Sequence, residues 1–174
     1  VKSGAYKATV PRGKTETLKI LHIIDTDTLI VSNPKVNGGT PFTIRTAGYD
    51  APEARKNNKG QNQYWAPESL AALKKMVSEG SNIKVTYNNK DVYNRVVGFV
   101  ETMDGTDIAK ELISKGHVLR TADNTKDIMA QNKAKEKKLG MWANPDKVQV
   151  PSSFRAEGEI PEDPRIKSTK NTKG

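Results

Sequence analysis

The sequence predicts an α+β fold, an antiparallel β-barrel or sheet with helices gathered to one side. Two observations lead there. Runs rich in β-branched residues and stretches of helical periodicity follow one another as strands, helix, strands, then helices, without the regular strand-helix-strand alternation of a parallel sheet. The chain of 174 residues is also about the size of one domain, and some ~150 residues folding together bury close to 70% of their unfolded surface, so one core is expected.

Taken in order, residues 1–16 carry Gly4, Pro11 and Gly13 among several Lys and Arg and read as an extended arm. Residues 17–24 and 28–31 read as two strands, or one bent strand, around the acidic turn Asp25-Thr26-Asp27. Asn33-Pro34 is a breaker and Asn37-Gly38-Gly39 a hairpin signal, and a third strand is expected over 41–47. Residues 49–64 lack any apolar period and read as a long loop, a feature that in compact domains is usually functional. Leu70, Leu73, Met76 and Val77 recur at helical spacing, which predicts a helix over 65–78 with Pro67 in its first turn and Gly80 at its stop. Residues 83–87 and 96–100 read as strands joined through a polar stretch. Ile108, Leu112 and Ile113 predict a short helix ending near Gly116, and residues 128–139 a longer basic one ending before Gly140. The domain is thus expected over 17–144. Residues 145–174 form a charged, Pro-containing tail; from 151 onward it holds three Pro, nine charges and almost no large apolar side chains, so it is not expected to offset its ordering entropy alone and would order on a partner.

Composition narrows the function without naming it. The net charge of +9 biases the surface toward polyanions such as nucleic acid or anionic membrane. The longest apolar run, near Leu18 to Ile24, is interrupted by Lys19 and His22 and falls well short of the roughly 20 residues that span a bilayer, so no membrane insertion is expected. The absence of cysteine excludes disulfides, zinc-thiolate sites and a thiol nucleophile, and two histidines cannot build a three-His metal site. A start at Val1 leaves open both a mature form, secreted or organellar after loss of a targeting peptide, and an excised domain.

Three separated clusters carry the chemistry: Asp25-Thr26-Asp27-Thr28, then Arg45 to Glu53 with Asp50 between, and Asp91-Val92-Tyr93-Asn94-Arg95. Each lies at a predicted strand end or in the loop beyond. Acids in such places suit a hard cation, because Ca²⁺ and Mg²⁺ prefer carboxylate, carbonyl and water oxygens. Arg45 and Arg95 complement them, since guanidinium donors stabilise the charge that builds on a phosphodiester under attack. With no His, Cys or Lys suited to the task in these clusters, Glu53 is the candidate to orient or deprotonate an attacking water. Each cluster alone is weak evidence: an Asp-Thr-Asp turn is most often turn chemistry, and a lone Arg usually pairs with a surface acid.

Together the clusters resemble a known family. The ordered motifs Ile24-Asp25-Thr26-Asp27-Thr28-Leu29, Arg45-x-x-Gly48-Tyr49-Asp50-Ala51-Pro52-Glu53, Asp91-x-Tyr93-x-Arg95 and Lys138-Leu139-Gly140-Met141-Trp142 are similar to those of the staphylococcal nuclease family, at matching intervals across about residues 17–144. The resemblance implies a five-stranded OB-fold barrel with about three flanking helices, and a Ca²⁺-dependent phosphodiesterase acting on DNA and RNA that leaves 3′-phosphorylated products. Carried over residue by residue, it implies that Asp27 and Asp50 ligate the metal through carboxylates and Ala51 through its carbonyl. Arg45 and Arg95 would grip the scissile phosphate, Glu53 would activate water, and Tyr93 would contact the nucleotide's other phosphate or sugar. The chain departs from the pattern in places. Thr26 and Asn94 stand where the family has Gly, Ala51 where some members have Thr, and Val92 where some have Lys; tyrosines that help hold the base in some members are missing after residues 117–120.

Other readings stay open at this point. A catalytically silent barrel would serve as a scaffold or nucleic-acid-binding subunit of a larger assembly, with the N-terminal arm and C-terminal tail wrapping onto a protein neighbour. The arginines and acids would then be structural ion pairs. Trp65 and Trp142 read as packing residues, His22 as packed or surface, His117 as the start of a strand, and the Lys-rich helix over 132–138 as a solvated face. An anionic-membrane module has least support, because no basic helix face carries Trp or Phe anchors. DNA against RNA preference and endo- against exonucleolytic action stay open.

Overall fold

The computed structural model describes residues 1–166. Five strands, β1 (Thr15–Asp25), β2 (Thr28–Ser32), β3 (Phe42–Thr46), β5 (Asn82–Lys90) and β6 (Val96–Thr102), close into a barrel in the order β1-β2-β3-β6-β5. Two short strands, β4 (Tyr49–Asp50) and β7 (Leu119–Arg120), pair antiparallel beside it. The helices are α1 (Ala66–Met76), α2 (Ile108–Ser114), α3 (Thr125–Glu136) and α4 (Pro151–Glu157). This is the expected OB-type α+β fold with one helix more, because the tail contributes α4. The barrel is mixed where the strand pattern predicts antiparallel pairing, since β3 and β6 run parallel with Arg45 opposite Val97. Closing a barrel through strands so far apart in the chain needs a crossover, and α1 and β5 supply it.

Local pattern explains most of these elements. Along β1, Leu18 and Ile20 are buried while Thr17 and Lys19 are exposed, the period of a half-buried strand. The register then shifts between Ile20 and His22 and again before Asp25, and the bulges allow the adjacent Ile23 and Ile24 both to be buried. With Leu29, Val31, Phe42, Ile44, Ile83 and Val85 these residues make the core, each fully buried side chain contributing about 1.5–3 kcal/mol. Antiparallel pairing with β5 also constrains β6. A Cβ on Gly98 would lie 2.6 Å from Val85 Cγ1, so only glycine fits there. The α3 helix begins at Thr125, earlier than its apolar periodicity indicates, because the side chain of Asn124 caps it by accepting from the Asp127 N–H at 2.8 Å. Behind α3 the chain crosses itself. Gly116 and Gly140, both at positive φ, approach so closely that a Cβ on Gly140 would come within 2.4 Å of the Gly116 carbonyl oxygen.

The N-terminal arm lies on the barrel, and the C-terminal segment packs on the loop over 53–63 and on that arm. The ring of Tyr6 is buried edge-on against Phe42 at 4.9 Å, and the Ser3 N–H donates to the Arg165 carbonyl at 3.0 Å. In the tail, α4 buries Pro151 and Phe154, and residues 155–165 bond to the loop over 53–63. The segment expected to need a partner for order thus packs on its own chain through residue 166. One aromatic anchor and a set of backbone hydrogen bonds replace the apolar surface it lacks. Residues 167–174 of the tail lie outside the described residues.

Candidate active site

The turn joining β1 to β2 and the start of β4 meet at one end of the barrel, with the guanidinium of Arg45 between them. Pairing of Thr28 with Arg45 brings the acidic turn beside β3. Arg45 Nη2 donates to Asp50 Oδ1 at 2.8 Å, and its Nη1 lies 3.4 Å from Asp27 Oδ2. Nη1 also donates to the carbonyls of Thr46 and Tyr49. One side chain from β3 therefore holds carboxylates from two other segments, and all three are half-buried.

Below the pair, a buried relay fixes the turn. Thr46 Oγ1 donates to Tyr49 Oη, and Tyr49 Oη donates to the Thr26 carbonyl, both at 2.6 Å. Burial pushes the Tyr49 phenol far above its ordinary range, so it is a permanent donor. The Thr46 N–H completes the frame by donating to the Asp27 carbonyl at 2.9 Å. Thr26 does not take positive φ, so the residue that replaces glycine is unstrained.

Glu53 is held from further away. Its N–H donates to Gln63 Oε1 at 2.9 Å, and its carboxylate, only 14% exposed, accepts from Arg155 Nη1 on α4. Asp25 lies nearby. Burial first, and then the charges of Asp27 and Glu53, raise its carboxyl to about 7 against the opposing charge of Arg55, whose Nε stands 3.4 Å away. Burial pulls the Arg155 guanidinium down, but Glu53, Asp50 and Asp27 more than reverse this. Asp25, Asp27, Asp50 and Glu53 thus share one electrostatic neighbourhood.

Arg95 and Tyr93 form a separate unit. Asp91 Oδ1 accepts from the backbone N–H groups of Tyr93 and Arg95 at 2.9 Å, and its Oδ2 accepts from Arg95 Nε at 2.8 Å. Arg95 stacks over the Tyr93 ring at 5.5 Å, and Asn94 takes a φ of 62°, the left-handed conformation that Asn tolerates. This loop leads into β6 at Val96, the partner of Ile44, so Arg95 enters the barrel beside β3 while pairing with its own acid rather than with Asp27 or Asp50. Ala51 follows β4 and is buried.

The donor chemistry here fits a hard cation. Two carboxylates converge within 3.4 Å of one guanidinium, and Asp25 Oδ1 and Thr26 Oγ1 on the same turn are buried without hydrogen-bond partners. Among the described residues no three Asp, Glu, His or Cys side chains form a preformed cage. The fit is to an ion that draws on carbonyl and water oxygens as well.

Residue pattern alone missed Arg155 and Arg55. Arg155 stands 102 positions from its partner, and no local motif marks it. The role of Asp91 was readable in principle, as an Asx turn closing on residues two and four ahead. Elsewhere, Trp65 lies parallel to the His117 ring and donates to its Nδ1 at 3.0 Å, while burial and then Lys115 and Lys75 lower the His117 pKa. Trp142 is buried under Lys135. His22 is half-buried near Glu79. Among the described residues no hydrogen bond or ion pair joins these rings to the acid cluster, and no helix is long and apolar enough to cross a membrane.

Known proteins share much of this chain. The family model described as staphylococcal nuclease homologue matches residues 43–144, which hold every candidate site residue except Asp27. An uncharacterized endonuclease of Escherichia coli is 27% identical over 133 residues, covering 75% of this chain and 79% of that protein. The thermonuclease of Staphylococcus hyicus is 26% identical over 148 residues, covering 82% and 85%. Endonuclease YhcR of Bacillus subtilis (strain 168) is 32% identical over 149 residues, covering 77% of this chain but 12% of that much longer protein.

Proposed function

The chain belongs to the staphylococcal nuclease family, and from that premise we propose that it is a calcium-dependent nuclease that hydrolyses phosphodiester bonds of DNA, RNA or both with low sequence specificity. The observation that carries this reading is the convergence of Asp27 and Asp50 on Arg45, inside the electrostatic field that also holds Glu53. A structural ion pair needs one acid and one base. Here the acids outnumber what Arg45 can balance, an arrangement that suits an added divalent cation.

In this reading Asp27, Asp50 and the Ala51 carbonyl hold calcium, which when bound polarises the phosphoryl oxygen and a water. Glu53 orients that water and accepts its proton. Arg45 presents its fork to the equatorial oxygens of the phosphate, for which the substrate competes with Asp27 and Asp50. Arg95 does the same from the β6 side, leaving Asp91 for the substrate, and Tyr93 contacts a neighbouring phosphate or sugar. These groups address the backbone of the nucleic acid and not base edges, which gives little sequence preference.

A catalytically silent barrel would carry the same ion pairs, and Glu53 separates the two readings. Incubation with single-stranded DNA and Ca²⁺ is expected to give cleavage by the native chain and a roughly 10²–10⁴-fold slower rate for Glu53→Gln, the usual worth of a general base. Equal cleavage by both removes Glu53 from the mechanism. No cleavage by either leaves the silent barrel.

A further inference from the structure

We propose that Arg155, carried by α4 in the C-terminal segment, is a positioning residue for Glu53, so that the site is completed by a residue beyond the 43–144 region that the family model matches. The inference rests on Glu53 being the group that handles the water.

Three observations carry it. The first is that the body of the domain ties down the backbone of Glu53 but not its carboxylate. The Glu53 N–H is fixed by Gln63, whose amide in turn donates to the Gln149 carbonyl at 2.7 Å on the approach to α4. The carboxylate's ion pair among the described residues is with Arg155.

The second is that Arg155 sits on an anchored stretch of chain. Phe154, immediately before it, is buried. Beyond it, Gly158 packs so closely that a Cβ there would come within 2.8 Å of Asn58 Oδ1, and the Asn58 N–H donates to the Glu159 carbonyl at 2.5 Å. Arg55 reaches the same segment through the Pro161 carbonyl. Both flanks of Arg155 are thus bound to the loop that follows Glu53.

The third is the field around the guanidinium: its Nη1 meets Glu53, and Asp50 and Asp27 add to Glu53 in raising its pKa, so it lies within reach of the acid cluster's charge.

A glutamate has three rotatable bonds, and a water-activating carboxylate must hold one position to within a fraction of an ångström. Misplacement by about 1 Å costs on the order of 10²-fold in rate. A donor on a docked helix removes that freedom without touching the substrate. The C-terminal segment therefore acts on the chemical step through Glu53, while phosphate binding rests on Arg45 and Arg95.

Steady-state cleavage of single-stranded DNA with Ca²⁺ tests this on the full chain with Arg155→Ala, Arg155→Lys and Arg155→Met, each also built on Glu53→Gln, and with thermal melting of every variant. Arg155→Ala is expected to lower kcat about 10- to 100-fold with KM within about twofold, and to have no further effect on Glu53→Gln. Arg155→Lys recovers part of the loss. Arg155→Met, which keeps the apolar stem, guards against a folding defect and loses kcat like Arg155→Ala. A rise in KM at constant kcat would assign Arg155 to the phosphate, a rise in kcat would make the pair a brake, and equal losses in both backgrounds would sever it from Glu53. Each of these overturns the proposal and leaves the nuclease reading standing. Failure of the native chain to cleave overturns both together.

Discussion

Arg45, on β3, and Arg95, on the loop that enters the neighbouring β6, are assigned the same task, yet the molecule holds them in opposite ways. Arg45 is braced by four groups from the β1–β2 turn, β3 and β4, and its two carboxylates come from segments that only folding brings together. Arg95 is braced by Asp91, four residues away on its own loop. The first arrangement is part of the tertiary structure. The second closes on an acid of its own loop, within one turn. The difference teaches that, under the proposed mechanism, function and stability are coupled at one arginine and separable at the other.

Replacing each arginine by alanine gives the largest expected effects. Both variants should lose roughly 10²–10³-fold in kcat/KM on single-stranded DNA, the range for removing a preorganised donor from a developing charge. Stability should tell them apart. Arg45→Ala leaves Asp27 and Asp50 facing each other half-buried and should cost about 1–3 kcal/mol in metal-free urea unfolding. Arg95→Ala should cost about 1 kcal/mol or less, because its partner is local and partly exposed. Equal stability losses would break the comparison.

Tyr49→Phe sharpens it at smaller amplitude. Removing the hydroxyl leaves the Thr26 carbonyl and Thr46 hydroxyl short of a buried partner, an expected loss of about 1–3 kcal/mol by thermal unfolding. Activity should fall through the turn that carries Asp27.

Asp25 gives a pH signature on the Arg45 side. Its folded pKa, raised to about 7, exceeds the unfolded value near 3.8, so the folded state binds the extra proton between those limits. Its contribution is fully present below about 3.8 and is lost as pH rises toward about 7. Asp25→Asn mimics the protonated form. In metal-free protein, the stability gained by this variant over the native chain should grow from pH 4 to pH 7 and then level off. A flat difference would contradict the burial of that charge.

The smallest effect belongs to the Arg95 loop. Asn94→Ala forces a left-handed backbone on a residue with a Cβ and should cost about 1 kcal/mol, while Asn94→Gly should be nearly neutral. Melting temperatures measure both.

The same contrast explains what the residues revealed before folding was considered. Elements set by short-range pattern were legible: the alternation in β1, the polar hinge at Asp25-Thr26-Asp27, and the helical spacing of Leu70, Leu73 and Met76. The Asp91-x-Tyr93-x-Arg95 unit was visible for the same reason, since its partners lie within one turn. Features that depend on chain crossing were not. The parallel seam between β3 and β6 leaves no periodic trace in either strand. Nothing near Glu53 announces Arg155, and the docking of the tail turns on Phe154 and backbone hydrogen bonds that a count of charges and prolines does not register. Nor could spacing show that Arg45 bridges Asp27 and Asp50; it showed only that acids and arginines were available at strand ends.

The central claim is that Asp27 and Asp50 serve one cation beside one phosphate. A calcium titration of single-stranded DNA cleavage by the native chain, Asp27→Asn, Asp50→Asn and Glu53→Gln tests it most directly. The account predicts no cleavage in chelator and a rise of at least about tenfold in half-saturating calcium for each aspartate variant. Glu53→Gln should show a lower plateau at an unchanged midpoint. Cleavage that persists in chelator, or a midpoint indifferent to both aspartates, would contradict it.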